Sequence, residues 1–345
     1  MPPLTIAKTN APAFLAALSP SYRVVVPRQV NEADVVFADF EEAVPIAWNF
    51  VNTVIPPKGL FFVPRETLFH IEGTRRPSLR VPEPGRPIAI FGMRSCDATG
   101  LAFLDRFFAG RGFEDDSVPD RIRASLRMTM ACDRPGPACF CVCCDGGPWL
   151  TGGFDLQFAD LGNRLLVDVG TAKGSAAVAA APMLFQEAEP KAVEEWTRRL
   201  AGVDARFERR SYVAAGTKPV SLGKVPREQW EQWAEDCQGC GGCCFVCPTC
   251  SCFTVYDRAT GPQTFERGRA RDACLYEGFT REASDHNPRG DKGRRLERRF
   301  FHKMSYQYVE VMGRHGCVGC GRCAATCPGG LDISSVLERI RDACQ

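Results

Sequence analysis

The chain has 345 residues and little histidine, almost no net charge and no long apolar run. Its four histidines, His70, His286, His302 and His315, fall in no metal-binding spacing, and each reads as a surface or hydrogen-bonding residue. A net charge of +2 removes the strongly basic surface that a nucleic-acid partner asks for. No apolar stretch approaches the roughly 18 residues that span a bilayer. The opening MPPLTIAKTNAPAFLAALSP lacks the basic start and unbroken apolar core of a signal peptide. The expectation is a soluble, cytoplasmic chain with no membrane span. Gly-x-Gly-x-x-Gly and the Walker phosphate loop are also missing, which argues against a nucleotide or flavin site of familiar kind.

What the chain has instead is cysteine, nineteen of them. Without a secretory leader that number points to metal ligation and away from disulfides. Between Cys237 and Cys327 the pattern Cys-x2-Cys-x2-Cys-x3-Cys-Pro occurs twice, as CQGCGGCCFVCP and CVGCGRCAATCP, with seven of twelve positions identical. Three thiolates, each separated from the next by two residues, curl around one iron–sulfur cubane. The fourth, followed by proline and expected at the start of a helix, reaches the neighbouring cubane. One [4Fe-4S] cluster is therefore assigned to Cys237, Cys240, Cys243 and Cys327, and a second to Cys317, Cys320, Cys323 and Cys247. The intervening glycines free the loop from Cβ clashes and let amides point at sulfur. Structural zinc asks for four thiolates per ion, usually as two separated pairs, and has no use for this crossed arrangement.

Hydrophobic patterning divides the chain near Pro226. Residues 1–225 alternate β-rich runs (YRVVVP, DVVFADF, GLFFVP, RPIAIFG, RMTMAC, RLLVDVG) with helical ones (GLAFLDRFF, KAVEEWTRRL), as expected of an α/β (α+β) domain. Residues 226–345 are expected to form a mainly helical, bacterial-ferredoxin-like dicluster domain, entered by the helix PREQWEQWAED with Pro226 at its first position. A basic insertion at about 254–316 separates the two cysteine runs. It reads either as a solvated helical face or as a docking surface for an acidic partner.

The first domain holds a cysteine group of its own: Cys96 in GMRSCD, then Cys132, Cys139, Cys141, Cys143 and Cys144 in ACDRPGPACFCVCCDGGP. Cys96 and Cys132 each follow a β-like run, and strand ends converge where loops carry chemistry. Six thiols exceed what a core needs, so a third [4Fe-4S] site is expected, with Cys96, Cys132, Cys139 and Cys141 as ligands. Cys143 and Cys144 are vicinal and point apart in an extended loop. They read as replacement ligands, a redox pair or passengers. Cys244 and Cys344 read as ordinary buried thiols.

With these residues the chain resembles the iron–sulfur beta subunits of cytoplasmic sulfhydrogenases (group 3 nickel–iron hydrogenases), which are related to an iron–sulfur component of anaerobic sulfite reductase. The resemblance rests on FFVP, RSCD-x-x-G-x-x-x-LDRFF, C-x6-CFC, CPTCSCF, RARDAC, HNPR at His286–Arg289 and HK at His302–Lys303. Where similar proteins read Ser-Met-Gly-Thr-Gly-Pro after CFC, this chain has VCCDGGP. The resemblance implies a protein passing single electrons between two partners. One is a catalytic subunit of hydrogenase or sulfur- or sulfite-reductase type, the other a flavin- and NAD(P)-binding subunit. It fits Cys250, Cys252 and Cys274 to the pattern without giving them a role. The alternative is a self-contained reductase of sulfur compounds using the first domain's thiols. Neither reading assigns an acid–base catalytic residue.

Overall fold

A computed structural model gives the fold and describes residues 2–110, 112 and 115–344. Runs rich in β-branched and aromatic residues form the strands of the first half. These are β1 (Leu4–Ala7), β2 (Arg23–Gln29), β3 (Val35–Asp39), β4 (Arg65–Glu72), β5 (Ser78–Arg80) and β6 (Ile88–Met93). They continue with β7 (Leu126–Met130), β8 (Leu156–Asp160), β9 (Arg164–Val169) and β10 (Phe185–Glu187). The second half adds β11 (Phe253–Gly261) and β12 (Thr264–Arg271).

Eight of them build a sheet in the order β10-β1-β9-β8-β7-β6-β2-β3. Its centre, β2 with β6, β7 and β8, is parallel, and the flanking pairs are antiparallel. Both faces are covered, so β6 (IAIFGM) is buried along its whole length. Ala89 and Phe91 face one core with Phe14, Leu15 and Leu18 of helix Ala11–Leu18. Ile88 and Ile90 face the other, with Leu101, Leu104 and Phe108 of helix Ser95–Ala109. Burying a large apolar side chain stabilises the fold by roughly 1.5–3 kcal/mol.

The second half contributes strands as well as helices. β11 and β12 form an antiparallel hairpin that continues through β4 to β5, a four-stranded sheet drawing two strands from each side of residue 226. In FTVYDRATG–TFERGRAR the β-forming run Phe253–Tyr256 opens one strand, while Arg267, Arg269 and Arg271, at every second residue of the other, make it read as a basic run. GLFFVP is likewise not a strand: Lys58–Phe61 forms one helical turn and packs Phe61 and Phe62 into the core. An apolar run that short does not separate the two conformations.

Helices complete the second half. Arg227–Glu235 forms where a helix is expected, with Pro226 as its N-cap and not its first residue. Trp230 on it stacks on Phe300 of helix Lys292–Met304 at 5.8 Å, inside a core shared with helix Ile333–Ala343. No helix among the described residues is long and apolar enough to cross a membrane.

Candidate metal centres

The sequence repeat is also a repeat of backbone conformation. Gly239 and Gly319 adopt φ +65° and +63°, and Gly241 and Gly321 adopt +69° and +75°. Each pair turns the chain left-handed, where a Cβ is strained. The amides of Gly239 and Gly319 then donate to the sulfurs of Cys237 and Cys317, both at 3.4 Å. Short helices, Gly242–Phe245 and Arg322–Thr326, follow the two loops. The third cysteine of each motif lies within its short helix. The fourth lies just past the helix end and not at a helix start, because the x3 spacing spends one turn before the proline.

Cys237, Cys240, Cys243 and Cys327 line one cavity with Leu296 and Arg299. Leu331 donates its amide to the Cys327 sulfur at 3.3 Å. Arg299 is buried, and its Nε and Nη1 have no hydrogen-bond partner among the described residues. A buried guanidinium with idle donors is costly unless an anion faces it. An anionic cluster held by these four thiols would be such a partner, so donor set and charge both fit. The Cys244 thiol donates to Cys243, and this bond, with the Arg299 charge, lowers the Cys243 pKa.

The other motif surrounds Cys317, Cys320 and Cys323. Cys247 lies close enough to interact with Cys317 and Cys320, and Cys323 with both of these. Lys303, also buried, donates to the Cys247 sulfur at 3.4 Å and to Thr249 Oγ1 at 2.7 Å.

A second cavity is lined by Cys96, Cys132, Cys139 and Cys141, with Cys320 in its wall. Two neighbouring parallel strands supply its first two thiols: Cys96 begins the helix after β6, and Cys132 follows β7. Burial pushes all four thiols up, so an electropositive metal group is what would keep them as thiolates. The loop bearing Cys139 and Cys141 packs directly on the second motif. Phe140 donates its amide to the Gly319 carbonyl at 2.8 Å. A Cβ on Gly319 would meet the Cys141 nitrogen at 2.5 Å, and one on Gly321 the Ala138 carbonyl at 2.5 Å.

Among the described residues, no three His, Cys, Asp or Glu side chains converge as the ligands of a single ion would. The thiols of the Cys237 set and of the Cys96 set stand around cavities instead, as a polynuclear group requires.

Sequence patterns do not point to Asn52. Its amide donates to the Cys320 carbonyl at 2.8 Å and lies 3.8 Å from the Cys139 sulfur, while its carbonyl accepts from Cys96 at 3.8 Å. A lone asparagine outside every motif carries no local signal. Neither Cys143 nor Cys144 lines the cavity: both pack on the core of the second half, where the Cys144 thiol is buried and hydrogen-bonds to Cys317. Cys344 is exposed and not buried, since the helix Ile333–Ala343 ends before it. Cys244 is buried, but in contact with other thiols.

The basic helix Lys292–Met304 follows neither expectation fully. Arg294 remains solvated, yet Arg295, Arg299 and Lys303, four residues apart, share a buried face. Arg299 and Lys303 on that face meet the motif thiols.

Residues 236–331 match the family described as 4Fe-4S dicluster domain. The chain carries a 4Fe-4S dicluster domain. Over 331 residues, 96% of this chain and 96% of the relative, it is 27% identical to sulfhydrogenase 2 subunit beta of Pyrococcus furiosus. No solved structure matches. Both matches support the family read from the sequence, the iron–sulfur electron-transfer beta subunits of sulfhydrogenases.

Proposed function

We propose that this chain relays single electrons within a multi-subunit oxidoreductase. Its partners would be a catalytic subunit of hydrogenase or sulfur-reductase type on one side, with a flavin- and NAD(P)-binding subunit on the other. Three [4Fe-4S] groups would be held by Cys237, Cys240, Cys243 and Cys327; by Cys317, Cys320, Cys323 and Cys247; and by Cys96, Cys132, Cys139 and Cys141. Such groups supply one-electron redox chemistry whose potential follows local charge, hydrogen bonds to sulfur and exposure.

The observation that carries this reading is the continuity of the thiol sites from one surface to another. Cys132 and Asn52 stand in the wall between the inner cavity and an open surface cavity of about 980 Å³. Cys320 borders the inner cavity while belonging to the second motif. At the far end, Cys240 is exposed. The chain's own residues set the spacing, supply amides to sulfur and place buried cations beside the thiols. The same surface cavity favours the second reading, reduction of a sulfur compound at the Cys132 side, because a substrate of modest size fits there.

Anaerobically purified chain should contain about twelve irons and exchange electrons with viologen dyes. It should not consume hydrogen, sulfite or polysulfide without partner chains. Turnover of any of these by the isolated chain would overturn the relay and favour the reductase. About eight irons would remove the site at Cys96 and Cys132.

A further inference from the structure

Of the seven thiols outside the three sites, four gather at one place. Cys244 lies in the helix Gly242–Phe245, Cys250 and Cys252 in the loop before β11, and Cys274 just after β12. The hairpin gathers them: Phe253 pairs with Arg271, so Cys252 and Cys274 flank the hairpin's open end. The Cys244 and Cys274 sulfurs are 3.8 Å apart. Cys250 hydrogen-bonds to Cys244, and Cys252 to Cys274. Cys244, Cys250 and Cys274 are 2%, 5% and 7% exposed.

Positive charge collects on the same spot. Lys58, Arg299 and Lys303 are buried, Arg271 is half-buried, and no carboxylate pairs with any of the four among the described residues. Cys250 is an electrostatic neighbour of all four, although it belongs to neither motif. Lys58 Nζ donates to the carbonyls of Cys250 and Cys244, at 3.0 and 3.3 Å. Arg271 Nη2 donates to the carbonyl of Phe245 at 2.9 Å. Burying cations without a counter-charge is costly; each of the four also neighbours a motif thiol, Cys243 or Cys247, and Cys250 is the thiol outside the motifs that all four share.

We infer that Cys244, Cys250, Cys252 and Cys274 form a fourth centre, binding a thiophilic metal, iron or zinc, as an anionic thiolate complex balanced by these cations. This rests on the relay reading only for the neighbouring sites. The chemistry fits: soft thiolates select zinc and iron, and tetrahedral bonds of about 2.3 Å set sulfurs about 3.8 Å apart. That is the separation of Cys244 and Cys274. The remaining sulfurs have not converged to a single-ion geometry, and the same is true of the thiols in the dicluster motifs. Metal binding would bring Cys250 and Cys252 onto the Cys244–Cys274 edge.

The test is an inventory of iron, zinc and acid-labile sulfide in the anaerobic full chain, compared with the double variant Cys250→Ser/Cys252→Ser. Low-temperature EPR of the dicluster signals serves as the folding control. Loss of about four irons with their sulfide, from a wild-type content of about sixteen in place of the twelve of three clusters, identifies a cluster, and loss of about one zinc identifies an ion. Unchanged metal content with intact dicluster signals overturns the centre. If the variant does not fold, anomalous diffraction from wild-type crystals at the iron and zinc edges decides. A peak among the four sulfurs supports the centre, and its lack refutes it. Wild-type protein without iron or dicluster signals would instead sink the relay reading, leaving zinc at the four thiols a separate question.

Discussion

Single side chains decide what the thiol sites can do, and Arg299 is the clearest case. It lines the cavity of Cys237, Cys240, Cys243 and Cys327 with no carboxylate partner among the described residues. A positive charge beside a cluster favours the more negative, reduced state, so its loss should lower that cluster's potential. Arg299→Met is expected to shift the midpoint down by about 59 mV for each ~1.4 kcal/mol of attraction removed. Arg299→Lys should shift it less. EPR-monitored redox titration reads both, and equal potentials in all three proteins would show that the guanidinium does not act on the cluster. Part of this is legible in the sequence: the two motifs name their eight thiols through spacing alone, and Arg295, Arg299 and Lys303 at four-residue steps mark one helix face. Lys58 and Asn52 are not legible there. Each reaches its thiol neighbours from more than 40 residues away, through packing that no local pattern encodes.

At the scale of elements, the four-stranded sheet shows why charge can hide a strand. Arg269 on β12 is 1% exposed and sits among the rings of Phe62, Phe108 and Phe253 at 5.3–5.4 Å. It donates to Glu66 at 2.6 Å, to Ser117 Oγ at 2.7 Å and to Asp115. Phe253 thus serves this aromatic cluster and not a metal site. In sequence, Arg269 is one more cation of a basic stretch; only pairing β12 with β4 turns it inward. Removing one partner of a buried ion pair costs roughly 3–5 kcal/mol. Arg269→Met should lose about that much in denaturant unfolding. Arg267→Met, on the same strand but paired with exposed Asp257, should lose at most about 1 kcal/mol. Similar losses in the two variants would refute the burial argument. The parallel strands are legible for the opposite reason: with both faces covered, their apolar runs are continuous.

For the whole molecule, we propose that the boundary at residue 226 marks a change of composition and not a break between independently folding units. Four kinds of contact cross it. β12 pairs with β4. Arg322 forms a two-pronged bridge to Asp97 at 2.7 and 3.2 Å, with both side chains at most 4% exposed. The same guanidinium donates to the Thr53 carbonyl at 2.8 Å. Gly100 leaves so little room that a Cβ would meet Pro248 at 2.5 Å. Cutting the chain at the boundary would expose the edge of β12, strand each partner of the Arg322–Asp97 bridge and open the wall shared through Cys320. Residues 1–225 and 226–345 produced separately should therefore aggregate or lack cooperative unfolding, whereas co-expression should recover a soluble complex with the iron content of the intact chain. Soluble yield, calorimetry and iron analysis of the three preparations test this. A lone 226–345 fragment that unfolds cooperatively with about eight irons would show that the dicluster half stands by itself. The contacts crossing residue 226 would then serve to align the third site with the second, and not to hold either half together.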